Sequence, residues 1–149
     1  MKKIIVLLFV SVAILSCKKT SVDQAKVDRD IIRKYISDSS LVADSTNTGL
    51  FYVISDPGSG TQPNSSSYVS VNYKGYLVNG TIFDQTSGTP VSFFLTSVIA
   101  GWTQGIPLIK KGGKIKLLIP SALGYGSKTV GSIPANSVLI FDVELVNVQ

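Results

Sequence analysis

The most informative stretch of the chain reads Val98-Ile99-Ala100-Gly101-Trp102-Thr103-Gln104-Gly105-Ile106. It contains the only tryptophan of the protein, and a lone tryptophan in a small domain usually anchors a core. Because glycine has no Cβ, another part of the chain can approach closely at Gly101. We therefore expect a short helix from Ala100 to Ile106, with the rest of the domain built around it.

The composition is that of a folded domain with a short extension. Of the 149 residues, 44% are hydrophobic and 15% are charged, which is enough apolar material for a real core. The formal net charge is +5 and includes Lys2 and Lys3, so without these two lysines it is +3, which is mild and gives little reason to expect an acidic partner. The densest basic run, at residues 110–116, falls on a predicted turn and a solvated strand face, so we expect no nucleic-acid partner.

The first residues are typical of a targeting segment. Lys2 and Lys3 precede an apolar run from Ile4 to Leu15, which is shorter than the roughly 20 residues that span a bilayer. Residues 1–16 are therefore predicted to be a signal peptide. Its end, Ile14-Leu15-Ser16-Cys17, resembles a bacterial lipobox, which implies lipid attachment at Cys17 and an exported protein anchored to a membrane, facing the periplasm or the cell surface. An ordinary signal peptide followed by a stray cysteine is the alternative.

Residues 17–49 are interpreted as a linker that carries one helix. The helix is predicted from Asp23 to Ile36, because its apolar residues recur at helical spacing. Its stripe contains Val27, Ile31 and Tyr35, with Ile32 and Ile36 beside it. A helix this short is marginal alone, so the stripe is expected to dock on the following domain or to form a dimer. The polar segment 44–49 is the predicted domain boundary.

Residues 50–149 read as short strands. Residues 69–73, 114–119 and 138–148 alternate between apolar and polar side chains, as a half-buried strand does. Asn79-Gly80 predicts a hairpin with a two-residue turn. Further strands are expected at 50–54 and 91–95. The predicted fold is α+β, an antiparallel sheet packed over one short helix.

The residue inventory excludes most catalytic chemistry. The chain has no histidine and a single cysteine, so the commonest general base and a disulfide within the chain are both missing. No cluster has the spacing of a metal site, and no glycine-rich loop is followed by the lysine of a phosphate-binding loop. We therefore expect no cofactor and no metal. An apolar, aromatic surface remains, which suits ligand binding or a reaction that needs only shape and desolvation.

Rotation about an X–Pro amide is a reaction of that kind. It makes and breaks no covalent bond, and its barrier of roughly 18–20 kcal/mol comes from amide resonance. Water stabilises the charge-separated planar form, so a dry pocket favours the twisted form. Each tenfold acceleration needs only about 1.4 kcal/mol of differential stabilisation.

From Leu50 to Gln149, the chain resembles the FKBP-type peptidyl-prolyl isomerases. The matching segments occur in family order: Val71-Asn72-Tyr73-Lys74-Gly75, Gly80-Thr81-Ile82-Phe83-Asp84, Val98-Ile99-Ala100-Gly101-Trp102, Ile119-Pro120, Leu123-Gly124-Tyr125-Gly126, Ile133-Pro134-Ala135-Asn136 and Leu139-Ile140-Phe141-Asp142-Val143-Glu144-Leu145. The resemblance implies a curved antiparallel sheet around a short helix, with a ligand cleft between them. It also implies proline-containing polypeptides as substrates and macrolides as inhibitors.

The same resemblance assigns the site residues. Trp102 would form the floor of the cleft, and Tyr73, Phe83, Val98, Ile99 and Phe141 its walls. The backbone N–H of Ile99 and the hydroxyl of Tyr125 would hold substrate carbonyls. Asp84 would form a hydrogen bond near the Tyr73 hydroxyl at the edge of the cleft, and it would tune the polarity of the cleft without moving a proton.

Three departures from the family bear on substrate preference. Val91 stands where the family often has an aromatic residue in the pocket. The segment Thr96-Ser97 that leads into Val98 is shorter than in some members of the family, and the loop 127–132 lacks the aromatic residue or histidine that the family often has at its tip. Two functions remain open at this point: an isomerase that assists the folding of exported proteins, and a peptide-binding chaperone module that uses the same cleft without catalysis.

Overall fold

The computed structural model describes residues 22–149. The predicted signal peptide and the lipid attachment at Cys17 lie outside the described residues. Within residues 22–149, no helix combines the length and the apolar character needed to cross a membrane.

One antiparallel sheet forms the body of the protein. Its strands are β1 (Asp44–Ser45), β2 (Phe51–Asp56), β3 (Tyr68–Leu77), β4 (Ile82–Gln85), β5 (Val91–Phe94), β6 (Lys114–Ile119) and β7 (Leu139–Val148). They are ordered β1-β2-β6-β7-β3-β4, and β5 pairs with β3 beside β4. The α+β fold expected from the sequence is confirmed, although β1 occupies part of a segment that we predicted to be a loop.

The alternating residues face inward as predicted. Ile115, Leu117 and Ile119 of β6 are at most 2% exposed. The inward residues of β7 are also buried, namely Leu139, Phe141, Val143 and Leu145. Because side chains alternate along a strand, these residues form one continuous apolar face.

The short helix α2 (Ala100–Gly105) packs on β6 through two glycines. A Cβ at Gly101 would lie 2.6 Å from Ile119, and one at Gly105 would lie 2.5 Å from Leu117. The close approach expected at Gly101 is therefore made by β6. It holds Trp102 against the inner face of the sheet, where it is 5% exposed.

The hairpin between β3 and β4 differs from its prediction in length. The Leu77 N–H donates to the Thr81 carbonyl at 2.9 Å, which leaves Val78, Asn79 and Gly80 as a three-residue loop. Gly80 has a φ of +87°, and Asn79 is not among the residues with positive φ. The glycine supplies the left-handed position that ends such loops, so the prediction of a two-residue turn was wrong.

Helix α1 (Gln24–Asp38) docks on the outer face of the sheet. Ile32 is fully buried and clusters with Leu118 and Val138. Asp28 is also buried, whereas Ile31 is 36% exposed. Docking on the following domain was one of the two expected roles. The buried face of the helix, with Asp28 and Ile32, lies one residue away from the predicted stripe. The prediction missed it because a buried aspartate cannot be recognised from hydropathy.

Candidate functional site

An open pocket of about 750 Å³ lies between α2 and the concave face of the sheet. Its lining includes every residue assigned to the site from the sequence: Tyr73, Phe83, Asp84, Val98, Ile99, Trp102, Tyr125 and Phe141. These residues come from strands β3, β4 and β7, from α2 with its preceding turn, and from the loop after β6. The fold thus brings together side chains that are far apart in sequence.

The floor of the pocket is a cluster of aromatic rings. Trp102 meets Tyr73 and Phe141 edge to face, each with ring centroids 5.1 Å apart. Phe83 meets Phe141 in the same way at 5.4 Å. Edge-to-face pairs at these distances are favourable beyond their buried area. The rings therefore hold one another in a fixed apolar surface.

The tryptophan is buried at a cost. Its Nε1–H has no acceptor among residues 22–149, and leaving a buried donor unpaired costs about 1–3 kcal/mol. Uncompensated polar groups of this kind are rare in native proteins and call for an explanation. Here the indole keeps its ring at the centre of the aromatic floor despite that cost.

The polar pair at the pocket edge is Tyr73 and Asp84. The Tyr73 hydroxyl donates to Asp84 Oδ2 at 2.5 Å. Burial, followed by this hydrogen bond and the negative charge of Asp84, raises the pKa of Tyr73 above its ordinary value. The hydroxyl therefore stays protonated and remains a donor, which makes it a poor proton acceptor at neutral pH.

Two further polar groups flank the apolar floor. The backbone N–H of Ile99, at the N-terminal end of α2, donates to no group within residues 22–149. Tyr125, 37% exposed, lines the pocket from a loop between two glycines. Both groups can donate a hydrogen bond to a carbonyl of an extended peptide.

Several lining residues were not assigned from the sequence. Phe93 of β5 lines the pocket and lies 5.4 Å from Trp102 between ring centroids. Ser97 and the residues 130–133 also contribute. Phe93 is two residues from Val91, which lines the pocket too, so strand alternation was the signal that could have identified it. Phe93 therefore adds an aromatic ring to the wall that contains Val91.

The lining of the pocket suits the binding of an apolar group and its removal from water. The described part of the chain contains no group of three or more acidic, histidine or cysteine side chains that could hold a metal ion. Among the described residues that line the pocket most are apolar, and Asp84 supplies their only carboxylate.

Comparisons with known proteins agree on one family. The family model for FKBP-type peptidyl-prolyl cis-trans isomerases matches residues 59–146. The chain is 45% identical over 134 residues to the FKBP-type isomerase FkpA of Escherichia coli K12, covering 89% of this chain and 49% of that protein. The chain spans about half the length of the curated relatives it matches.

Solved structures show the same fold. The crystal structure of FkpA from Escherichia coli matches with a TM-score of 0.73 and 45% identity, over 85% of this chain and 64% of that one. A peptidyl-prolyl cis-trans isomerase from Pseudomonas syringae matches with a TM-score of 0.74 and 33% identity, over 85% of this chain and 93% of that one.

Proposed function

Because the chain belongs to the family of FKBP-type peptidyl-prolyl cis-trans isomerases, we propose that it is an isomerase that rotates X–Pro bonds of exported polypeptides during folding. The observation that carries the proposal is the pocket itself, an apolar cleft floored by Trp102 with hydrogen-bond donors at its edge. Uncatalysed X–Pro isomerisation takes tens to hundreds of seconds, so a catalyst has a slow step to act on.

The mechanism rests on removing water from the proline amide. The proline ring packs on the indole of Trp102, between Tyr73 and Phe141, and the amide carbonyl enters an apolar wall. There the planar, charge-separated amide loses the solvation that stabilises it. The twisted amide, in which resonance is lost, loses less, so the barrier falls.

The polar groups orient the peptide around that bond. The N–H of Ile99 and the hydroxyl of Tyr125 donate to substrate carbonyls on either side of the proline. Asp84 holds the Tyr73 hydroxyl in place, so this pair adjusts the polarity of the pocket edge and moves no proton. Family macrolides are expected to compete for the same surface.

We expect kcat/KM for an X–Pro peptide to be constant between about pH 6 and 9. The chain has no histidine, and the raised pKa of Tyr73 keeps its hydroxyl protonated throughout this range. The hydrogen bond to Asp84 therefore contributes fully to stability below the ordinary tyrosine pKa of about 10. This contribution is lost only as the pH rises through the raised pKa of Tyr73. A pH titration of kcat/KM checks this, with Tyr73→Phe as control. A bell-shaped profile in that range contradicts a mechanism without proton transfer.

A peptide-binding chaperone is the second candidate. Val91 is 41% exposed at the pocket rim, and Val130 is 39% exposed, which gives an unfolded chain an apolar surface to rest on. Refolding of a proline-limited protein separates the two functions. An isomerase accelerates the slow phase at catalytic amounts, whereas a binding module acts only at stoichiometric amounts.

We also propose that Cys17 carries a lipid that anchors the exported protein to a membrane. The support is the Ile14-Leu15-Ser16-Cys17 sequence after an apolar run. Cys17→Ala is expected to abolish incorporation of labelled fatty acid and to move the protein from the membrane fraction to the soluble fraction. Ser16→Ala, which keeps a small residue before the cysteine, is the control and is expected to retain the label. A Cys17→Ala protein that still takes up fatty acid and stays with membranes contradicts the proposal.

A further inference from the structure

A buried aspartate links helix α1 to the loop that carries Tyr125. Asp28 is 1% exposed, and its Oδ2 accepts hydrogen bonds from the Ser121 N–H at 2.8 Å and from the Ser121 hydroxyl at 2.6 Å. Its Oδ1 accepts from Gln24 Nε2 at 2.7 Å. Asp28 lies outside the segment 59–146 that the family model matches, so α1 adds this contact to the domain from outside that segment.

Ser121 in turn holds both flanks of Tyr125. It begins the 3-10 turn Ser121–Leu123 that follows β6. Its carbonyl accepts from the Gly124 N–H at 2.9 Å and from the Gly126 N–H at 2.8 Å. The Gly126 carbonyl accepts from the Asn136 N–H at 2.8 Å. The position of the tyrosine between these glycines is therefore set from Ser121.

Helix α1 also docks through an apolar contact that does not involve the carboxylate. Ile32 already packs with Leu118 and Val138 on the outer face of the sheet. Burying a carboxylate is unfavourable unless its oxygens are well hydrogen-bonded, and two of the three donors here come from one residue of the Tyr125 loop. Hydrogen bonds to a charged acceptor are also shorter and stronger than those between neutral groups.

We propose that Asp28 is a positioning residue, which fixes Ser121 and through it places the Tyr125 hydroxyl at the edge of the pocket. The expected effect on KM rests on the proposed isomerase function. The expected effect on the Tyr125 loop rests on the hydrogen bonds alone. It makes the affinity of the pocket for its peptide depend on a helix on the opposite face of the sheet.

The structural half is tested by hydrogen exchange in the full chain. In Asp28→Ala, amide exchange at Gly124 and Gly126 is expected to rise about tenfold, since the loop loses hydrogen bonds to a charged acceptor. Asp28→Asn, which keeps the shape and one acceptor oxygen, is expected to show a smaller rise and provides a folded variant. Leu117 and Val143 in the sheet keep their wild-type exchange. Ile32→Val, which weakens the docking of α1 without touching Asp28, is the matched control and leaves Gly126 unchanged.

The kinetic half uses an X–Pro peptide. Asp28→Ala is expected to raise KM about fivefold with kcat within a factor of two, because the carbonyl-binding hydroxyl is displaced while the aromatic floor is intact. In a Tyr125→Phe background the same substitution adds nothing further to KM, since both act through one hydroxyl. Asp30→Asn, on an exposed position of the same helix, keeps wild-type KM.

The outcomes distinguish this proposal from the proposed function. If the wild-type protein turns over no peptide, the function fails, while exchange at Gly126 and peptide affinity read from Trp102 fluorescence still report on Asp28. If Asp28→Ala and Ile32→Val give the same exchange at Gly124 and Gly126, Asp28 has a merely structural role and the proposal is overturned. It is also overturned if the Asp28→Ala effect on KM or affinity persists in full in the Tyr125→Phe background.

Discussion

Replacing Trp102 by alanine is expected to lower the free energy of unfolding by about 3–5 kcal/mol, the usual cost of truncating a buried aromatic side chain, and to lower kcat/KM for an X–Pro peptide about a hundredfold, equivalent to about 2.7 kcal/mol. The indole contacts Tyr73, Phe93 and Phe141. Its loss leaves three rings without their common neighbour and opens the floor of the pocket to water. Chemical denaturation and peptide isomerisation kinetics measure the two effects.

Leu145→Ala separates loss of the pocket from loss of stability. Leu145 is fully buried in the same core but does not line the pocket. Its truncation is expected to cost about 2–5 kcal/mol while leaving kcat/KM of the folded protein close to wild type. Trp102→Leu keeps an apolar floor and provides a more stable variant. A folded Trp102→Leu protein with full kcat/KM argues against the indole as the surface on which the proline rotates.

Gly75→Ala is expected to destabilise the protein by about 1–3 kcal/mol, as overpacking of a core does, and to reduce peptide affinity at the same time. Gly75 lies in β3 opposite Asp84 and Phe141. A Cβ there would lie 2.6 Å from Phe83 Cε2 and 2.7 Å from Phe141 Cε1, closer than real Cβ contacts. Both rings must then move, and both line the pocket. Binding of a proline peptide, followed by Trp102 fluorescence, reports the change.

Gly105→Ala is the matched control for this prediction. A Cβ at Gly105 would lie 2.5 Å from Leu117 Cδ2, which overpacks the core at a place where neither residue lines the pocket. We expect Gly105→Ala to cost stability without weakening the peptide. A second substitution, Phe83→Leu, is expected to recover part of the affinity lost in Gly75→Ala by making room for the new methyl group. Equal loss of affinity in Gly75→Ala and Gly105→Ala contradicts the account of the pocket walls.

The strands that build the pocket could be predicted because each has one buried and one exposed face. Alternation in β3, β6 and β7 is visible in the sequence and identifies their inward residues, although Leu118 and Ile140 on the outer face are also fully buried. The convergence of Tyr73, Tyr125 and Phe141 could not be derived in this way, because spacing along a chain does not determine which strands become neighbours. That part depended on the resemblance to a known family.

The features that the sequence did not reveal depend on tertiary context. Leu118 lies outside the main core of the sheet and packs with Ile32 of α1 and with Val138. Asp28 reads as a surface residue of an amphipathic helix, since aspartate is rarely buried unless paired. Its partners on Ser121 lie 93 positions further along the chain. Local pattern carries no information about a pairing at that separation.

We infer that an aromatic pocket that excludes water is sufficient to rotate a proline amide. The most direct test is the cis-to-trans rate of a short X–Pro peptide with catalytic amounts of the purified protein, measured beside Tyr125→Phe. We predict clear acceleration over the uncatalysed rate, and a raised KM with a nearly unchanged kcat when the Tyr125 hydroxyl is removed. A folded protein that binds the peptide but leaves its isomerisation rate unchanged would contradict the claim and would leave peptide binding as the function of the pocket.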